Sequence, residues 1–193
     1  MLIEKTRNTL ETNISVTFDI YGAGNYEIEA DNKFLKHMLE LFCAHSNSDL
    51  KLSAKALDGD IHHLVEDCAI TLGETIKDSL GDKKGITRYA ERIIPMDEAL
   101  CLCAIDISGR GYCNCDISIK EEKTSDFETV LLAHFFQSLA QSAKITVHFK
   151  LLAGSDPHHI IEAAFKAFAH ALCDAAKIDE KNKDKIPSTK GVL

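Results

Sequence analysis

A histidine-rich pattern written twice constrains this chain more than any other feature. "HHLVE" occupies 62–66 and "HHIIE" occupies 158–162, so His62, His63 and Glu66 return 96 residues later as His158, His159 and Glu162. A third histidine keeps nearly the same step: His37 in "KHML" returns 97 residues on as His134 in "AHFF". The register that aligns these residues also lays helix on helix and strand on strand. An internal duplication follows, with two α+β halves, each a mixed β-sheet with helices packed on one face. We expect a single domain over 1–193, with repeats at about 1–85 and 86–180 and a tail over 181–193.

Periodicity fills in the elements. "NISVTFDI" (13–20) alternates as a strand, "YGAGN" turns, and "YEIEA" (26–30) reads as its hairpin partner. Helical spacing runs from Asn32 to His45, a short strand follows in "LKLSA", and helix resumes from about His62 to Leu80 before Gly81. Between Ile86 and Ile119 a period of two predicts three strands, with "SGRG" turning between the last two. Helix is expected over about Ser125–Ser142, strand over Ile145–Leu152 and helix over Pro157–Lys177. By composition alone the lysine-rich tail "DEKNKDKIPSTKGVL" is a solvated end.

A formal net charge of −8 argues against general nucleic-acid binding, which needs a basic surface, but leaves room for a small phosphorylated ligand beside a few local cations. No apolar run approaches the ~20 residues of a membrane span, and "MLIEKTRNTLETNIS" is neither a signal nor a transit peptide. The expectation is a cytoplasmic protein. Seven cysteines include Cys101/Cys103 and Cys113/Cys115, each pair on one face of a strand. Buried reduced thiols are the first reading and a thiolate metal site the second.

On a helix, residues i and i+4 share a face. His62 and Glu66 can therefore ligate one ion, while His63, rotated by about 100°, points elsewhere and can serve another. Each motif then contributes to two metal positions. Six histidines (37, 62, 63, 134, 158, 159) and two glutamates (66, 162) divide into three His and one Glu per ion. Nitrogen and carboxylate donors without thiolate suit Mn²⁺ or a similar divalent ion. His148 and His170 read as ordinary histidines, and His45 stays open. Arg88, Lys166 and Lys190 can be surface cations; Arg110, in the tight "SGRG" turn, most suggests an anion site.

The stretches "RNTLETNISV", "FLKHML", "HHLVED", "GITRYA", "PMDEAL", "DISGRGY", "HFFQSLA", "HHIIEAAFKAFAHAL" and "IPSTKGVL", in this order, make the chain similar to the imidazoleglycerol-phosphate dehydratase family from about Arg7 to Leu193. The resemblance implies a ribosomal protein S5 domain 2-like fold. It implies a hydro-lyase of histidine biosynthesis that converts imidazole glycerol phosphate to imidazole acetol phosphate, with two Mn²⁺ per active site. It also implies a 24-subunit homo-oligomer with active sites between neighbours. The family's ligands fall on the same eight residues, its acid/base glutamate on Glu11, and its substrate-binding groups on His45, Arg88, Arg110, Lys166, Ser188 and Lys190. "IPSTKG" is then expected to order over substrate. In that chemistry the metal acts as Lewis acid and template, Glu11 moves protons, and the cations hold the phosphate.

Several positions depart from the family's pattern: Leu10, Lys36, Leu41, Ser46, Ile61 and Leu64 stand where it has lysine, aspartate, glutamine, glycine, aspartate and threonine. All eight ligand positions are kept. Besides the dehydratase, the residues leave two readings: a catalytically impaired, metal-assembled oligomer of the same fold, and a dehydratase of a related phosphorylated substrate. A monofunctional chain is expected, without a fused phosphatase.

Overall fold

The computed structural model describes residues 2–193; residue 1, where the expected domain begins, lies outside the described residues. Among the described residues fourteen elements follow one another. The first half contains β1 (Ile3–Asn8), β2 (Thr12–Asp19), β3 (Tyr26–Ala30), α1 (Lys33–Ser46), β4 (Asp49–Ala56) and α2 (Ile61–Ser79). The second contains β5 (Tyr89–Met96), β6 (Ala99–Asp106), β7 (Tyr112–Asp116), the short β8 (Lys123–Thr124) and β9 (Phe127–Glu128), then α3 (Leu131–Ala143), β10 (Thr146–Ala153) and α4 (Pro157–Ala176).

The sheets are ordered β1-β2-β4-β3 and β5-β6-β10-β7. Each half thus repeats βββαβα with the same strand order, and the duplication is visible as topology. In both sheets the third strand pairs in parallel with the fourth, β3 with β4 and β7 with β10. A parallel pair needs a crossover, which α1 and α3 supply.

This corrects one expectation: β2 and β3 do not form a hairpin, because β4 lies between them, whereas "SGRG" does turn between β6 and β7, with β10 inserted between those strands in the sheet. Alternation marks a strand but not its partner, and "YGAGN" is held from afar. Asp49 at the start of β4 accepts from Ala23 N, Asn25 N and Asn25 Nδ2. Two strand segments were also missed. β1 carries one apolar residue in six, and the β8–β9 hairpin lies where helix was expected from Ser125. Ser125 instead has φ of 54° and sits in the hairpin turn.

Helices α1 and α2 cover one face of the first sheet, and α3 and α4 cover one face of the second. The two helical layers meet, α1 on α4 and α2 on α3. The buried core runs through this seam, where Phe136 packs on Phe135, Phe149, Phe165 and Phe168 with ring centroids 4.4–5.3 Å apart. Truncating such a ring typically costs about 3–5 kcal/mol. The C-x-C cysteines lie on the helix-covered side: Cys101 and Cys103 are fully buried, Cys113 and Cys115 half-buried, and burial pushes Cys101 and Cys113 up to about 12. They behave as small core residues, and no cysteine joins a metal-capable cluster among the described residues.

Candidate metal centre and anion site

Capping sets the phase of the two helices that carry most of the candidate ligands. Asp60 caps α2 by accepting from His62 N at 2.8 Å. Asp156 caps α4 by accepting from His158 N at 2.7 Å and His159 N at 3.4 Å, with Pro157 in the first turn. Both helices therefore begin at the histidine pair. Helix α1 is fixed across the halves: Asp126, between β8 and β9, accepts from Lys33 N and Phe34 N, and its carbonyl accepts from Asn32 Nδ2.

The seam between halves then assembles two donor trios. In the first, His62, Glu66 and His134 offer ligand atoms within 4.8 Å of one another, with His134 Nε2 3.4 Å from Glu66 Oε2 and the two imidazoles 4.3 Å apart. In the second, His37, His158 and Glu162 do the same; Glu162 Oε2 lies 3.3 Å from His158 Nε2 and 3.8 Å from His37 Nε2. Each trio takes the i, i+4 pair from one half and a histidine from the other half's preceding helix. His134 Nε2 is buried and makes no hydrogen bond. A buried ring nitrogen left unpaired is costly, and a divalent cation taking its lone pair relieves that cost. The donor set, imidazole and carboxylate without thiolate, fits such an ion.

His63 and His159 turn aside, as a rotation of about 100° requires. His63 Nδ1 bonds Asp58 Oδ2 at 2.7 Å and has Glu11 Oε2 at 3.9 Å. His159 Nδ1 bonds Glu98 Oε2 at 2.7 Å. Each carboxylate raises its histidine's pKa, chiefly through that hydrogen bond. Glu98 is itself held down to about 2, first by the Asp156 backbone N–H and then by His159. A carboxylate on Nδ1 fixes the ring and directs Nε2 outward as a donor. Sequence reasoning missed Asp58 and Glu98. Asp58 looks like a turn residue, and the only trace of Glu98 was its place in "PMDEAL".

Glu11 sits exposed in the β1–β2 turn. Its carbonyl accepts from Leu57 N and Asp58 N, and its N–H donates to Thr9 Oγ1 at 3.1 Å. Thr12 Oγ1 next to it donates to the buried Asp67 Oδ2 at 2.5 Å, while Arg7 Nε holds Asp67 Oδ1 at 2.6 Å. The turn carrying Glu11 is thus tied to α2 one residue beyond Glu66.

Among the cations, Lys166 pairs with Glu162 Oε1 at 2.6 Å. His45 lies at the end of α1 with its ring 5.1 Å from that of His170, and burial, then His170 and Lys166, lower its pKa. Arg88 adopts φ of 77°, a conformation non-glycine residues take at a cost of roughly 1–3 kcal/mol where surroundings enforce it. Its backbone N–H bonds Ala175 O and its carbonyl receives Ile107 N. Its guanidinium spans Asp106, at 2.8 and 3.3 Å, and the tail carbonyl of Pro187 at 2.8 Å. The tail is therefore anchored at Arg88, with Ser188 Oγ accepting from Lys190 N and Gly85 N donating to Lys185 O. Asp106 was not foreseen. Arg110 lies in the β6–β7 turn, its N–H on Ser108 Oγ, and its guanidinium has no partner among the described residues. The structure does not join it to Arg88.

Three of the departures are accommodated by packing, while Leu10 is left almost fully exposed. Leu64 is fully buried, Leu41 and Ile61 pack partly buried against the core, and Lys36 pairs with Glu40 at 3.9 Å.

With this geometry in place, comparison with known proteins is direct. Residues 30–172 match the family model described as imidazoleglycerol-phosphate dehydratase. The imidazoleglycerol-phosphate dehydratase of Thermoanaerobacter pseudethanolicus is 47% identical over 191 residues, 98% of each chain. That of Lactococcus lactis is 48% identical over 194 residues, covering 97% of this chain and 96% of its own. The crystal structure of the Staphylococcus aureus enzyme superposes with a TM-score of 0.85 at 36% identity, covering 93% of this chain and 100% of that one. The Pyrococcus furiosus structure also gives 0.85, at 39% identity over 98% of this chain and 100% of that one. By topology, by sequence over nearly its whole length and by structural superposition, the chain belongs to the imidazoleglycerol-phosphate dehydratase family.

Proposed function

We propose that the chain is a hydro-lyase that dehydrates imidazole glycerol phosphate to imidazole acetol phosphate in histidine biosynthesis. The observation that carries this beyond family membership is the pair of donor trios across the seam, with a buried, unpaired His134 Nε2 in one of them. Two divalent ions, Mn²⁺ by donor type, would be held by His62, Glu66 and His134 and by His37, His158 and Glu162. Bound there, they supply Lewis acidity and a template for an azole ring.

Within one chain each trio stops at three donors. His63 and His159, oriented by Asp58 and Glu98, are the natural fourth donors to ions of a neighbouring copy, which places active sites between subunits of a large homo-oligomer. The uncovered sheet faces favour such assembly: Tyr89, Ile93, Tyr112 and Leu152 are exposed large apolar residues on the second sheet.

Glu11 would take and return the proton at its carboxylate, held near His63 by the Thr9–Thr12 turn. Arg88, Lys166, Ser188 and Lys190, with Arg110 donated from its exposed turn, would bind phosphate away from the reacting carbons and fix orientation. His45 would contact substrate beside Lys166. A cytoplasmic setting suits a biosynthetic enzyme, and no helix among the described residues is long and apolar enough to cross a membrane.

The test is dehydration of imidazole glycerol phosphate by purified, Mn²⁺-loaded protein, with rescue of a histidine-requiring strain lacking its dehydratase. Assembled, metal-loaded protein that neither turns over substrate nor rescues growth would leave the impaired-oligomer reading in its place.

A further inference from the structure

The two donor trios come from a repeat, yet they are not equivalent. Glu162 is only 6% exposed. Its Oε2 faces the two imidazoles, but its Oε1 is held by Lys166 Nζ at 2.6 Å, one turn along α4. That lysine is itself largely covered, with Met96 Sδ at 3.4 Å. In α2 the repeat-related position, 96 residues earlier, is Ile70. Glu66 has no ammonium or guanidinium partner among the described residues, its side chain is 41% exposed, and its neighbour in the centre is His134.

One carboxylate is therefore buried, engaged at one oxygen and neutralised. The other is part exposed and has no cation beside it among the described residues. A dication entering the His37–His158–Glu162 position meets a fixed like charge one helical turn away and is offered Oε2 alone. A dication entering the His62–Glu66–His134 position meets neither obstacle.

We propose that the two metal positions differ in affinity and fill in order, His62–Glu66–His134 first and His37–His158–Glu162 second, with Lys166 setting the gap. The proposal rests on the metal reading given above and adds to Lys166 a role distinct from holding phosphate.

Metal-free protein titrated with Mn²⁺ at pH 8, followed by the electron paramagnetic resonance of free Mn²⁺ and by calorimetry, reads this without turnover. We expect two classes of site with dissociation constants about tenfold or more apart, the order a nearby like charge imposes even when screened. Lys166→Met should tighten the weaker class and bring the two together, whereas Lys166→Arg should keep them apart. Ile70→Lys, which installs the missing ammonium beside Glu66, should weaken the tighter class; this variant decides the matter if Lys166→Met misfolds by circular dichroism. A single class in the parent protein, or two classes unmoved by both Lys166→Met and Ile70→Lys, overturns the proposal while leaving the metal reading intact. Protein that binds no Mn²⁺ sinks the metal reading itself.

Discussion

Asp58 and Glu98 make the histidine pairs usable. Each grips one Nδ1 at 2.7 Å, so the neighbouring imidazole presents a single defined nitrogen. Glu98 also closes the turn before α4 through the N–H groups of Ser155 and Asp156. Its pKa is depressed from 4.5 to about 2, so its contribution to stability is present above 4.5 and lost as pH falls through about 2. His159 shifts the other way: its contribution is complete below its ordinary 6.5 and is lost as pH rises through the raised folded value. The pair therefore works best between about 4.5 and 6.5. Glu98→Gln should destabilise the metal-free chain most in that window. In urea unfolding across pH, the difference from the parent should vanish toward pH 2 and shrink, without vanishing, above 6.5 as the backbone bonds persist. A difference independent of pH would remove the ionic pair from the account. Loss of such a supporting carboxylate should also weaken metal retention about 10–100-fold. Glu11→Gln should behave otherwise, keeping metal while losing roughly 10²–10⁴ in rate; full activity would remove Glu11 from proton transfer.

The helices place these residues, and their packing is close where the first trio is built. Gly73 of α2 lies against α3: a Cβ there would meet Leu139 O at 2.6 Å and Ser142 Cβ at 2.8 Å. Gly73→Ala must push α3 outward, carrying His134 away from His62 and Glu66. A loss of about 1–3 kcal/mol is expected from overpacking, with weakened Mn²⁺ binding at that trio; unchanged thermal midpoint and titration would show that the seam yields without cost. The ligand-bearing helices were legible because their apolar periodicity is strong and Asp60 and Asp156 mark their starts. The strand pairing was not. β3 joins β4 only because α1 crosses over to the far side, and the loop that looked like a hairpin turn is organised by Asp49, more than twenty residues away in sequence. The β8–β9 hairpin was likewise hidden, though its Asp126 caps α1 and thereby sets where His37 points. Long-range caps of this kind leave no local pattern to read.

The molecule is two copies of one design set helix to helix, and both candidate donor trios lie on the line where they meet. Repeat spacing alone singled out all eight candidate ligands, because a duplicated donor set is improbable without a shared purpose. Helix phase, read from the i, i+4 spacing, also turned His63 away from His62 and Glu66; what the spacing could not supply were the carboxylates that hold the turned-aside rings, Asp58 and Glu98, which arrive from the β4–α2 and β5–β6 connections. The core of the seam, from Phe34 through Phe168, is built of apolar side chains and includes none of the candidate metal donors. Fold and metal content should therefore separate. Stripping divalent ions with a chelator should leave far-UV circular dichroism nearly unchanged, yet shift sedimentation from a large assembly to small species, if ions join donors of different chains. Glu66→Ala and Glu162→Ala should each lower metal per chain and weaken assembly even with Mn²⁺ in excess, by deleting the carboxylate of one trio. Full assembly with undiminished metal in either variant would mean that the trios are not where subunits are joined.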